Sequence, residues 1–384
     1  MGSADDVAGG SRRLSAALHV VLRLPRRGVT LAGRIAALAV VGGLVVGPAA
    51  LAGPAGAAPT SRTARPVGLV QAGNSKTTCI YASYGRQLVQ VERATGITYD
   101  CLEVFSTEDP NWAQWQDPWI TNPRYGYVKW VAADPNRHTL VIAENLVPDD
   151  VAATANWRLL GARGRFDIYA EHLAENLVAA GLGYSVIRLG PEMNGPWEVD
   201  WIGTKPSQWH DWALYFTQIV RTMRAVPGAH FLFDWNVNAN YEDLPLAAYY
   251  PGNASVDIVG IDAYDEASMR LPPVGSLRRW PSLANEPLGL DAVYRFAREH
   301  GKPLSIPEWG TLSTHGDDGA YVSGIGQFVA HHVVAYESWY DAGDNHILQL
   351  SPRSAPRSFA AYVAAFGPRS VIARYEASRA RGGA

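Results

Sequence analysis

The sequence predicts a single α/β domain, a (β/α)8 TIM barrel, and three observations predict it. Short β-rich runs recur along the chain, each followed by a loop and then a longer helical pattern, an alternation that gives parallel strands joined by helical crossovers. Eight such units fall within roughly 270 residues, the number and length that this barrel needs. The runs are also apolar almost without interruption, as strands buried on both faces are.

In chain order the runs are "CIYASYG" (79–85), "TYDCLEVF" (98–105), "HTLVIAENLV" (138–147), "YSVIRLG" (184–190), "AHFLFDWNV" (229–237), "VDIVGIDAY" (256–264), "KPLSIPEWG" (302–310) and "VVAYESWYD" (333–341). Between the third and fourth, "RFDIYAEHLAENLVAAG" (165–181) sets Phe166, Tyr169, Leu173 and Leu177 at helical spacing and stops at Gly181. After the fourth, "PSQWHDWALYFTQIVRTMRAV" (206–226) offers Ser207 as a cap and one stripe of Trp209, Trp212, Phe216 and Ile219. Trp112, Trp115 and Trp119, at i, i+3 and i+7, read as a buried helical stripe rather than a sugar platform.

The domain layout follows from composition. Arg23, Arg26, Arg27 and Arg34 precede a Gly- and Pro-broken apolar run that starts at Ile35 and ends in the small residues Ala55-Gly56-Ala57. Residues 1–57 therefore read as a cleaved export signal, with a retained membrane anchor as the alternative. Residues 58–66 read as a linker, 67–368 as the barrel and 369–384 as a C-terminal tail. The expected mature protein is secreted and monomeric, touching a membrane only through the N-terminal segment. A formal net charge of -3 gives no basic field for polyphosphate, which argues against nucleic acid as a partner. Thirteen Trp and 18 Tyr offer flat faces suited to sugar rings, although core packing claims many of them.

The two cysteines, Cys79 and Cys101, both lie in the exported part and on neighbouring strands. In an oxidising compartment they are expected to bridge, closing a loop worth about 3 kcal/mol on the chain-entropy model; two buried thiols are the alternative. The ten scattered histidines form no ligand spacing with cysteine and no His-x-His after the first strand. No metal and no cofactor is expected.

In such a barrel, chemistry collects at the C-terminal strand ends, which converge on one mouth. Those ends carry Glu144 and Asn145, Glu192 and Asn194, Asp234, Trp235 and Asn236, Asp262, Tyr264 and Asp265, Glu308 and Trp309, and Glu337, Trp339 and Tyr340. Two carboxylates stand out beside small or rigid residues, Glu192 in "GPEMNG" and Glu308 in "IPEWG". Cleaving a glycosidic bond needs such a pair, one carboxyl to protonate the leaving oxygen and one carboxylate to attack or stabilise the oxocarbenium ion. A structural ion pair, to Arg188 or another barrel arginine, is the alternative use for either.

A glutamate after the fourth strand and another after the seventh resembles the large clan of retaining glycoside hydrolases with this barrel. "EMNGPW" is similar to the acid/base motif of family 26, the β-mannanases and related β-glucanases and xylanases, and "VDIVGIDAY" and "PEWG" resemble that family's sixth and seventh strand ends. The resemblance covers roughly residues 180–345 well. It implies that Glu192 is the general acid/base, with a raised pKa, and that Glu308 is the nucleophile, kept ionised by donors such as Tyr264 or a barrel arginine. It also implies that Trp197, Trp235, Tyr264 and Trp309 line the sugar sites, and Asn194, Asn236 and Trp339 join them as substrate-binding candidates at the strand ends. The expected partner is a polysaccharide or oligosaccharide. One departure is plain: Pro191 stands before the acid/base, where that family usually carries His and its clan Asn, and proline offers no side-chain hydrogen bond. A sugar-binding barrel without catalysis, and a retaining glycosidase of another family in the clan, are the competing readings.

Overall fold

The computed structural model describes residues 76–382 apart from 107–108, 240, 242–244, 267–270 and 342–346. The export segment expected over 1–57, the linker over 58–66 and the start of the expected barrel lie outside the described residues.

Eight parallel strands close into a barrel in sequence order: β1 (Thr77–Tyr81), β2 (Cys101–Ser106), β3 (Thr139–Glu144), β4 (Val186–Leu189), β5 (Leu232–Asn238), β6 (Ile258–Tyr264), β7 (Leu304–Gly310) and β8 (Val334–Tyr340). The two helices expected between β3 and β5 form as Asp167–Ala179 and Pro206–Ala225. The second is not capped by Ser207. Pro206 takes the first turn, where its missing N–H costs nothing, and the Gln208 side chain accepts from the backbone of Thr204 and Lys205 at 3.2 and 3.1 Å. Among the described residues the β5–β6 crossover holds only a short 3-10 turn, Leu246–Ala248. Past residue 368, where the tail is expected, the chain forms helix Val371–Gly382, and Ile372 is buried in the core. No helix among the described residues is long and apolar enough to cross a membrane.

Strand side chains alternate between the barrel interior and the helix layer. On β5, Phe233, Trp235 and Val237 face the helices and join the main apolar core, while Asp234, Asn236 and Asn238 face inward. The alternation accounts for three tryptophans expected at the sugar sites. Trp235 packs on Tyr249, Tyr250 and Phe296. Trp309 and Trp339 pack on each other and on Tyr362 of helix Pro356–Phe366, and all three indoles are fully buried. They hold helices against the barrel and do not reach substrate. The expected Trp112–Trp119 stripe also breaks up. Trp115 is buried in the short helix Trp112–Trp115, Trp112 stacks on Tyr169 at 4.2 Å, and Trp119 stands 39% exposed in a separate 3-10 turn.

The interior is filled in two chemically different layers. Its floor is apolar: Cys79 and Cys101 are register partners on β1 and β2, bridged with Cα atoms 4.5 Å apart, and pack with Val141, Val186, Ile258, Ala335 and Tyr336. The bridge therefore closes the loop around helix Arg86–Thr95 and fills part of the barrel floor. The layer above is polar. Glu103, Arg188, Asp234, Asn236, Asp262, Ser305 and Ser338 are all fully buried there.

Reducing the Cys79–Cys101 bridge should lower the unfolding free energy by about 3 kcal/mol, the chain-entropy value for a loop of this length. Denaturant titration with and without reductant, and of the C79A/C101A pair, checks this. An unchanged midpoint in reductant, with both thiols titratable after unfolding, would contradict it.

Candidate functional site

The polar layer opens at the C-terminal ends of the strands onto Glu192 and Glu308. Each is set by a local departure from regular structure. β4 ends at Leu189, and the chain then turns through Gly190 (φ 63°) and Pro191 into Glu192, a non-glycine residue at φ 48°. A left-handed conformation costs such a residue roughly 1–2 kcal/mol, so it persists only where neighbours hold it. Here the Glu192 N–H donates to Asn236 Oδ1 at 3.0 Å, and its carbonyl accepts from the Gly195 N–H at 2.7 Å. The carboxylate accepts from Asn238 Nδ2 at 2.6 Å and from the Trp197 indole N–H. Gly195 is required for that last contact, because a Cβ there would lie 2.3 Å from the Trp197 ring.

Glu308 follows Pro307, which has no N–H to give to a ladder. Register is irregular on both sides of β7 here, between Gly260 and Ala263 opposite β6 and between Ile306 and Trp309 opposite β8. Such irregularities re-aim side chains. This one turns Glu308 into the mouth, 8% exposed, while Trp309 stays in the helix layer. Glu308 Oε1 accepts from Arg188 Nη1 at 2.6 Å, Oε2 from the Tyr264 hydroxyl at 2.9 Å, and its backbone N–H donates to Asp262 Oδ1 at 3.0 Å.

Arg188 ties the layer together. From β4 it reaches Glu308, Glu103 on β2 at 2.9 Å, Asn236 Oδ1 at 2.9 Å, and Asp262 Oδ2. Asn236 in turn donates to Asp262 Oδ1 at 3.0 Å. One guanidinium thus serves three carboxylates, two of them fully buried and the third at the mouth. Burial pushes Glu103 up to about 8, with Arg188 pulling it down and Glu308 pushing it further up. Burial also holds Asp262 well above the usual carboxylate range, against the pull of Arg188. Asp234, bound by Ser305 and Tyr336 hydroxyls at 2.6 Å each, rises to about 6 for the same reason.

One oxygen each of Glu192, Asp262 and Glu308 lies within 4.8 Å of the others, a spacing that a divalent cation accepts. Two of the three already bind Arg188, and the third accepts from Asn238 and Trp197. The positive charge of this cluster is therefore the guanidinium.

Of the residues singled out in the sequence, Glu192, Glu308, Tyr264 and Trp197 converge at the mouth. Asn236 lies beneath them as a bridge between side chains. Asn194 is buried and faces neither carboxylate: its amide clamps the backbone of Asn238 and Tyr241 at 2.8 to 3.0 Å, so it fixes loops instead of reaching substrate. Asn238 and Glu103 were not expected at the site, whereas Arg188 takes the ion-pair contact to Glu308 that the sequence offered as the alternative use of that carboxylate. Asp234, Asn236 and Asn238, polar at every second position of an apolar strand, were the signal for the first.

Behind the mouth, Glu144 closes β3 fully buried, neither a sugar contact nor a solvated rim residue. Burial and the nearby Asp109 raise it well above the usual range; Asp109 itself rises to about 7 and Asp200 to about 6.

The model of glycosyl hydrolase family 26 matches residues 162–271, which carry β4 to β6 and include Glu192. No curated protein matches the sequence significantly. Among solved structures, a modular endo-β-1,4-mannanase from Cellulomonas fimi shares 17% identity with a TM-score of 0.55, over 77% of this chain and 72% of that one. A family 26 β-mannanase from Bacteroides ovatus shares 14% with a TM-score of 0.50, over 78% and 87%. At these identities the structural likeness concerns the barrel. With the family match, the chain is a glycoside hydrolase, similar to family 26 over residues 162–271.

Acids held protonated by burial favour the folded state at low pH, and that advantage fades as pH rises from the unfolded carboxyl value of about 4.3 through the raised folded ones. Stability should therefore fall between pH 5 and 8.5, and Glu144→Gln, which cannot ionise, should flatten that fall. Denaturant midpoints at the two pH values test it; an equal slope in both proteins would remove Glu144 from the account.

Proposed function

We propose that this glycoside hydrolase cleaves β-linked polysaccharide, of mannan or glucan type, with retention of configuration, Glu308 acting as nucleophile and Glu192 as general acid/base. The observation that carries the proposal is the pairing of two carboxylates, one oxygen of each within 4.8 Å of the other, in unlike surroundings, one on a guanidinium and a phenol, the other on a strained turn beside two neutral donors. A retaining pair stands about 5 to 5.5 Å apart, whereas an inverting pair needs roughly 6.5 to 9.5 Å to admit a water.

In the first step Glu308 attacks the anomeric carbon, the bond to the leaving oxygen breaks, and Glu192 passes its proton to that oxygen. In the second, Glu192 takes a proton from water, the water oxygen attacks the same carbon, and the bond to Glu308 breaks. Arg188 and Tyr264 hold Glu308 in place and bear part of its charge before attack and after release. β-Mannan heads the substrates to try, because two of the solved structures that share this barrel are named as mannanases. Pro191 removes a side-chain contact expected next to the acid/base, so glucan and xylan belong beside it. Export fits the Cys79–Cys101 bridge, which persists in oxidising compartments.

Glu308→Ala should abolish turnover of every substrate. Glu192→Ala should spare the first step on substrates with activated leaving groups, which need little protonation, and azide should then yield a β-glycosyl azide detectable by mass and NMR. Full activity of either alanine variant on a confirmed polysaccharide would remove that residue from the mechanism.

A further inference from the structure

We infer that an aromatic shelf over the ends of β8, β1 and β2 binds the glycone side of a polysaccharide chain, the sugars that stay attached to Glu308 when the leaving part departs. The inference rests on the glycosidase reading above and adds where the chain lies. Tyr340 and Tyr81 are register partners on β8 and β1, and their rings stack 4.6 Å apart. Phe105 of β2 meets them edge-on at 4.8 Å from Tyr81 and 5.8 Å from Tyr340. The Trp119 indole N–H donates to the Phe105 carbonyl at 3.1 Å, which fixes Trp119 above the end of β2, and Tyr125 stands edge-on to it at 5.0 Å.

Three features set this group apart from core packing. It is open: Trp119 is the one tryptophan of thirteen that is exposed, at 39%, and Tyr125 is 37% exposed. It continues from the catalytic pair, because the Arg188 guanidinium that holds Glu308 sits 5.6 Å from the Phe105 ring. It also mixes apolar faces with the phenol edges of Tyr81, Tyr125 and Tyr340, as rings that bind sugars between water and protein do.

Its place fixes the polarity of the bound chain. The proton donor must sit at the leaving oxygen, so the leaving part lies towards Glu192, Trp197 and Tyr241 on the β4 and β5 side, where the last two rings stand 4.6 Å apart. The shelf lies beyond Glu308, across β8, β1 and β2. Sugars there belong to the glycone.

The test is binding, which needs no turnover. The full chain carrying Glu308→Ala is titrated calorimetrically with β-1,4-linked mannose, glucose and xylose hexaoses and the corresponding bioses, with and without Trp119→Ala. At least one hexaose should bind more tightly than its biose, and Trp119→Ala should weaken hexaose binding about tenfold, the scale of one lost aromatic contact. Trp119→Phe, which keeps a ring but loses the N–H to Phe105, should retain most of the affinity; equal loss in both variants would mean a structural role and overturn the shelf. Unchanged hexaose affinity in Trp119→Ala would overturn it as well, and if the wild-type chain still hydrolyses that polysaccharide the catalytic reading survives alone. Binding lost in Trp119→Ala, in a chain whose wild type hydrolyses nothing, would keep the shelf and remove the catalysis. Absence of binding to any of the sugars overturns the shelf.

Discussion

The buried guanidinium of Arg188 is the constraint on which the rest of the site depends. Taking a charge out of water costs several kcal/mol, and attraction to a partner repays this only when geometry is good and the remaining donors are used. Arg188 meets that condition by reaching β2, β5, β6 and β7 from β4, through Glu103, Asn236, Asp262 and Glu308. Five of eight strands are thereby tied at one level of the barrel. The same contacts that make the guanidinium tolerable in the interior aim the proposed nucleophile, so structural and catalytic uses of this ion pair coincide rather than compete.

A barrel interior of this kind is usually filled with branched apolar side chains. Here only the floor follows that rule, with the disulfide taking the place of two such residues. Above it the strands bring in more carboxylates than one arginine can neutralise. Burial answers the excess by keeping a proton on Glu103, pushed up to about 8, while Asp234, raised to about 6, is met by two hydroxyl donors instead of a cation. Glu308 is the member that binds both the guanidinium and a phenol while keeping partial access to solvent.

Strand runs, their number and their order were legible because apolar runs and helix periods are local properties of a sequence. Glu192, Glu308 and Tyr264 were legible because they end such runs. The tryptophans were not. A shift of one residue exchanges barrel interior for helix layer, so Trp339 and Tyr340, adjacent in sequence, differ completely: one is sealed against Tyr362 and the other stacks on Tyr81 at the mouth. On β7 the irregular register after Pro307 adds a further displacement that no period announces. Contacts such as Arg188 to Glu103 and Glu308 join residues 85 and 120 positions apart, and only closure of the barrel brings them together.

The separation of the two carboxylates, on which a retaining outcome depends, is held by side chains and not by the barrel strands alone. Asn236 accepts the Glu192 N–H and donates to Asp262, and Asp262 accepts the Glu308 N–H. Backbone at the end of β4 is thus linked to backbone on β7 through two interior side chains, each bond 3.0 Å long. Pro191 makes this link more important. It brings no side-chain donor and precedes a left-handed residue whose conformation costs roughly 1–2 kcal/mol, so Pro191 gives Glu192 no side-chain hydrogen bond. Support comes instead from β5, where Asn236 takes the backbone and Asn238 the carboxylate. Two residues of one rigid strand, Asn236 and Asn238, therefore do for the proposed acid/base what the preceding residue cannot, and Asn236 also orients Arg188 towards the proposed nucleophile.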